Sequence, residues 1–197
     1  MILASELSAR HLNSLLNREF TDWDDRLTRL VSELKNQYKI ASRPGKPVVL
    51  DTSVLMQAGP FTEVCWSAAD PSLADAQIRP IIPILVVGEL EDLLHNRDGD
   101  RRLRARNATR ALWDLDHQRP TEPAVLPAQP DVTIEVLLDG DWHQRRPNND
   151  AEIIDQALCV REMTGKPTLL ATFDTRQLYR AGAVGLQAIL VARAGEA

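Results

Sequence analysis

The stretch Pro47-Val48-Val49-Leu50-Asp51-Thr52-Ser53-Val54-Leu55 decides the architecture. Val48, Val49 and Leu50 form a short, continuously apolar run, the pattern of a strand buried on both faces of a parallel sheet. Such a strand delivers Asp51 at its C-terminal end. Ahead of it, Ser42-Arg43-Pro44-Gly45-Lys46-Pro47 is turn chemistry that a helix does not cross. Residues 5–38 before that turn read as helical, with Leu27, Leu30, Val31 and Leu34 at three- and four-residue spacing, and Thr21 with Asp24 resembles a capping box. The expectation is an N-terminal helical extension over residues 1–42, made of two helices joined near Phe20, and a separate domain over residues 47–192.

After Asp51, residues 59–79 carry weak signals and read as a loop with a short helix. Ile78 to Ile82 predicts a second strand, and Pro83 suits the first turn of a helix through Val86, Val87, Leu90, Leu93 and Leu94. An arginine-rich helix spans residues 100–117, and a proline-rich loop covers 119–130. Val132 to Leu138 predicts a third strand. Asn149 is read as the N-cap of a helix through Ile153, Ile154, Ala157 and Leu158 that closes near Gly165. Thr168 to Ala171 is a fourth strand, a short helix runs from Arg176 to Ala181, and Leu186 to Val191 is the last strand. This alternation predicts an α/β fold with a mostly parallel sheet covered by helices on both faces.

The chain has 197 residues, 44% hydrophobic and 26% charged. That is one globular domain plus an appendage, long enough to bury a core, and no apolar run reaches the roughly 20 residues a bilayer span needs. The N-terminus lacks the apolar core of a secretory signal, so the expected location is cytoplasmic. Cys65 and Cys159, the only two cysteines, have no CxxC neighbour and read as buried free thiols. The formal net charge of −5 alone argues against a polyanionic partner, yet the arginines are concentrated in one segment.

In open parallel sheets, ligands sit outside the C-terminal strand ends. Asp51 and Asp174 lie at or just past such ends, Asp150 opens a helix that follows a strand, and Glu89 lies on the helix after the second strand. Four carboxylates converging there repel one another unless a cation binds. An oxygen-only set suits Mg²⁺ or Mn²⁺ rather than zinc, and the four histidines, His11, His95, His117 and His143, form no HxxxH pair. A hard cation in such a pocket supports phosphodiester hydrolysis. Taken singly, each acid reads more readily as a helix cap or turn former than as a ligand.

Taken together and in order, LDTSVLM (50–56), VVGELEDLL (86–94), NNDAEIIDQAL (148–158) and LLATFDTRQLYRAG (169–182) resemble the motifs of the PIN-domain nuclease family over residues 47–192. The resemblance implies a three-layer α/β/α fold. It further implies a metal-dependent endoribonuclease that cleaves single-stranded RNA, with Asp51, Glu89, Asp150 and Asp174 as metal-binding catalytic acids on Mg²⁺ or Mn²⁺. Ser53 or Thr52, and Thr172, would support them; Asp92 and Asp155 read as outlying acids. The N-terminal extension departs from the small toxin members of that family.

Arg101, Arg102 and Arg106, with Arg97, Arg104 and Arg110 on the same segment, present a positive face suited to phosphate. A solvated face paired to Asp98, Asp100 or Asp114 is the alternative. Arg145 and Arg146, beside Trp142 and His143, form a second RNA-binding candidate with a stacking aromatic. A phosphatase with Asp51 as nucleophile would want a second aspartate where Ser53 stands. A silent PIN-like module binding RNA or protein, or a toxin held by an antitoxin, are the other readings. The stripe Leu27, Leu30, Val31 and Leu34 needs a partner surface, and a homodimer through these helices is expected.

Overall fold

The structure is a computed structural model that describes residues 2–58, 60–74, 76–116, 122–140 and 143–191. Two compact units divide the chain, Met1–Ser42 and Arg43–Ala197.

The first unit is one helix, α1 (Ile2–Ala41), rather than two helices joined near Phe20. No proline or glycine interrupts residues 2–41, and the Thr21 hydroxyl donates to the Asn17 carbonyl at 2.9 Å. The residue read as part of a capping box therefore bonds back along a continuing helix. Leu16, Phe20, Trp23, Leu27, Leu30 and Leu34 recur at alternating spacings of four and three, and each is at least 46% exposed.

The second unit opens with β1 (Lys46–Leu50) and α2 (Thr52–Gln57). Two 3₁₀ turns, Phe61–Glu63 and Pro71–Leu73, flank a one-turn helix, α3 (Trp66–Ala69). This is where sequence periodicity was weak; the segment is anchored instead by buried Phe61, Val64, Trp66 and Leu73. Next come β2 (Ile78–Pro83), α4 (Ile84–Leu93) and α5 (Gly99–Asp116). The stretch read as a proline-rich loop contains a strand, β3 (Ala124–Leu126), which pairs antiparallel with β4 (Gln129–Leu137). A strand this short carries no legible period. The chain continues through α6 (Asn149–Thr164), β5 (Leu169–Thr172), α7 (Thr175–Ala183) and β6 (Gln187–Leu190).

The sheet order is β3-β4-β2-β1-β5-β6, and every pairing except β3 with β4 is parallel. From β1 the chain steps outward to β2 and β4, then α6 carries it back across to β5. Right-handed crossovers in opposite directions place helices on opposite faces, giving three layers, α/β/α. The direction reverses between β1 and β5, so the crevice for ligands opens at their C-terminal ends. Helices α2, α4 and α5 pack on one another, whereas α6 packs on β1, β5 and α7. Val48, Val49, Leu50, Ile81, Ile82, Leu169 and Leu170 are wholly buried, as two-sided coverage requires.

At the opposite end of the sheet a charged group is buried in the core. Arg79 on β2 has no exposed surface, and its Nε lies 3.0 Å from Glu135 on β4. Arg43 reaches the same carboxylate. Burial, and then the nearby Arg43 charge, push the Arg79 guanidinium down to about 10. Gly45, at φ 92°, turns the chain into β1; a Cβ there would meet Arg79 Cβ at 3.3 Å. The thiols depart from expectation: Cys65 is exposed and only Cys159 is partly covered, both outside any disulfide.

Candidate active site

Asp51 ends β1 with its carboxylate buried. Its Oδ2 accepts from the Ser53 hydroxyl at 2.5 Å and from the Thr172 hydroxyl at 2.7 Å. Each hydroxyl is itself fixed by a backbone N–H from the turn after β5. Phe173 donates to Ser53 Oγ at 2.9 Å, and Asp174 donates to Thr172 Oγ1 at 2.9 Å. The strand order alone produces this, because β5 lies directly against β1, with Leu50 opposite Ala171. Burial pushes the Asp51 carboxyl above the usual aspartate range and the neighbouring Glu89 charge adds to it, while the two hydroxyls pull the other way.

Glu89, half-buried on α4, accepts from the Thr52 hydroxyl and, at 2.6 Å, from the Asn149 side-chain amide. Asn149 is therefore not the N-cap expected of it. Asn148 caps α6, accepting from the Ala151 N–H at 3.0 Å. The displacement by one residue frees Asn149 to bridge α6 to Glu89.

Asp150 and Asp174 border the same crevice but are held differently. Arg180 on α7 donates to Asp150 Oδ2 at 2.7 Å. Asp174 caps α7, accepting from the Arg176 N–H at 2.8 Å, and pairs with the Arg176 side chain at 3.3 Å. That backbone N–H, followed by the Arg176 charge, holds its carboxyl below the usual range. The structure thus brings Asp51 and Glu89 side by side and links Asp174 to Asp51 through Thr172, whereas the carboxylate of Asp150 is turned to an arginine. The four acids do not close into one cluster: among the described residues, the group of three carboxylate or imidazole ligands within 4.8 Å of one another is Asp139, His143 and Glu152. Asp92 is exposed, and Asp155 accepts from Arg146 at 2.5 Å.

Arg101, Arg102 and Arg106 lie exposed on α5, which packs against α2 and α4, the helices that follow Asp51 and carry Glu89. Their pairing is loose: Arg101 stands 3.8 Å from Asp98, and Arg102 caps the Asn96 carbonyl at 3.1 Å. Arg145 is exposed, while Arg146 is engaged with Asp155. Trp142 and His117 lie outside the described residues.

A family profile described as PIN domain matches residues 48–191, most of the chain. The chain belongs to the PIN-domain family. Its fold is accordingly nuclease-like; PIN domains typically use divalent metals, often bind RNA, and some pair with antitoxins. Among solved structures this PIN domain is similar to a domain of a functionally unknown protein from Methanocaldococcus jannaschii. The likeness runs at 23% identity and a TM-score of 0.44, over 77% of this chain and 95% of that one. No curated protein matches it. Among the described residues no helix is long and apolar enough to cross a membrane.

Proposed function

We propose that this PIN domain is a divalent-metal-dependent endoribonuclease acting on single-stranded RNA. The observation that supports the reading is a buried Asp51 facing the charge of Glu89, two carboxylates at the strand-end crevice of a nuclease-like fold. A buried carboxylate facing a half-buried one calls for a cation, and their oxygens suit Mg²⁺ or Mn²⁺. Because Mg²⁺ keeps several of its waters, acids too far apart to bind it directly can still hold it through water. Asp51 and Glu89 would hold the ion, with Asp150 and Asp174 completing the shell. When bound, the ion supplies a metal-activated water and neutralises charge on the phosphodiester.

The residues of the chain do the positioning. Ser53 and Thr172 fix one Asp51 oxygen, while Thr52 and Asn149 fix Glu89. Arg101, Arg102 and Arg106, with Arg145 and Arg146, would grip backbone phosphates beside the crevice. Arg176 and Arg180 must release Asp174 and Asp150 before those acids can turn toward the ion.

Those two arginine pairs favour a second reading, a PIN-like module that binds RNA without cutting it. Incubating labelled single-stranded RNA with the protein separates the two. Cleavage that requires Mn²⁺ or Mg²⁺ and stops in Asp51→Asn supports the nuclease; binding without cleavage at any metal concentration supports the module. The exposed four-three stripe of α1 supports a homodimer through that helix. A protein antitoxin is the other partner class consistent with the family.

A further inference from the structure

A second constellation lies apart from Asp51 and Glu89, where the loop after β4 meets α6. His143 Nε2 touches Glu152 Oε1, and the Gln156 side chain meets three neighbours at once. Its Nε2 lies 2.9 Å from Asp139 Oδ1, 3.1 Å from His143 Nε2 and 3.2 Å from Glu152 Oε1. The Asp139, His143 and Glu152 atoms also lie within 4.8 Å of one another. An imidazole and two carboxylates gathered this closely can turn to one cation, and Zn²⁺, with bonds of about 2 Å to nitrogen and oxygen, suits them.

With a proton on Nε2, His143 donates to Glu152 Oε1 while the two Gln156 N–H groups turn to Asp139 Oδ1 and Glu152 Oε1, so these side chains are drawn to one point without an ion. A divalent cation takes the place of those protons, bonding to Asp139, His143 and Glu152 directly, with the Gln156 amide turned so that its oxygen faces the ion. Glu152 is 1% exposed, and its other oxygen, Oε2, is fixed by the Arg146 N–H at 2.6 Å, the outer support that metal-binding carboxylates carry.

We propose that Asp139, His143, Glu152 and Gln156 form a site for a borderline divalent cation of the Zn²⁺ class, distinct from the acidic pair at Asp51. An imidazole, two carboxylates and an amide select such an ion over Mg²⁺, which prefers oxygen and water. The ion fastens Asp139 and His143 to α6, whose first turn carries Asp150. The site does not depend on the nuclease reading.

Zn²⁺ titration into the chelator-stripped full-length protein, followed by calorimetry, tests this. With excess Mg²⁺ present to occupy the acidic pair, wild type and Asp51→Asn should each bind one Zn²⁺ per chain, while His143→Ala and Asp139→Asn weaken binding at least tenfold. Asp139 is exposed, so its variant keeps the fold, which circular dichroism verifies. Co²⁺ used as a probe should show the strong visible bands of a four-coordinate ion in wild type and lose them in His143→Ala. Zn²⁺ binding that is absent, unchanged in both loop variants, or lost in Asp51→Asn alone overturns the proposal.

Discussion

The Thr172 hydroxyl donates to Asp51 Oδ2 at 2.7 Å while its oxygen accepts the Asp174 backbone N–H at 2.9 Å. One buried hydroxyl thus sets both the direction of the first acid and the position of the last. Thr172→Val keeps the volume but leaves a buried carboxylate oxygen with one donor fewer, and should cost about 1–3 kcal/mol of stability. On the proposed function, cleavage falls about tenfold or more, and Thr172→Ser restores it. Denaturant midpoints and single-turnover rates check both; a Val variant as active as wild type overturns the positioning role.

Asp51→Asn should abolish cleavage while raising the melting temperature by a few degrees at pH 7. The sign follows from the raised carboxyl. A group protonated more readily in the folded than in the unfolded chain favours folding at low pH, and that contribution is lost as pH rises through its folded value. At neutral pH the charged, buried Asp51 therefore costs stability, which asparagine relieves. Below the ordinary aspartate range the advantage should disappear. Melting curves of both proteins from pH 3 to pH 8 measure it, and a variant less stable at pH 7 contradicts the assignment.

Arg180→Gln removes the partner that now holds Asp150 at 2.7 Å. If Asp150 joins the ion, half-maximal cleavage should require several-fold less Mn²⁺ in the variant. Were Asp150 merely a helix-end acid, the metal dependence would stay as in wild type.

Reversing Arg101, Arg102 and Arg106 to Glu should weaken binding of single-stranded RNA and flatten its salt dependence, each lost phosphate contact removing about 0.7 from the slope. Fluorescence anisotropy from low to moderate salt reads it. An unaltered slope assigns α5 to solvent alone.

Full-length protein at micromolar concentration should scatter light as a dimer, and a chain lacking residues 1–41 as a monomer. The exposed stripe from Leu16 to Leu34 cannot remain in water on so long a helix without cost. A full-length monomer removes the dimer.

What the sequence made legible follows from period and length. Long apolar runs such as Val48 to Leu50, and helices with a clear start or a glycine stop such as Gly165, are local signals, and they located the sheet and the strand-end acids. β3 went unseen because three residues carry no period. The shift of the α6 cap from Asn149 to Asn148 could not be read either, since neighbouring asparagines offer the same side chain and only the reach to Glu89 distinguishes them. His143 was set aside as a ligand because it forms no HxxxH pair, and its partners Asp139, Glu152 and Gln156 lie on two separate segments that only the fold brings together. The arginine partner of Asp150 likewise depends on how α7 lies against α6.

The buried Arg79–Glu135 pair has a consequence for how the sheet assembles. Glu135 sits on β4 opposite Ile81 of β2, and a slip of one residue between these strands would turn it to the other face of the sheet. The guanidinium would then be left inside the protein without its carboxylate, a fault that costs about 3–5 kcal/mol. Apolar strands such as β1 and β5 carry no such mark of their alignment; the charged group acts as a latch on the alignment of β2 with β4, and Glu89, on the helix that follows β2, takes its place from that alignment.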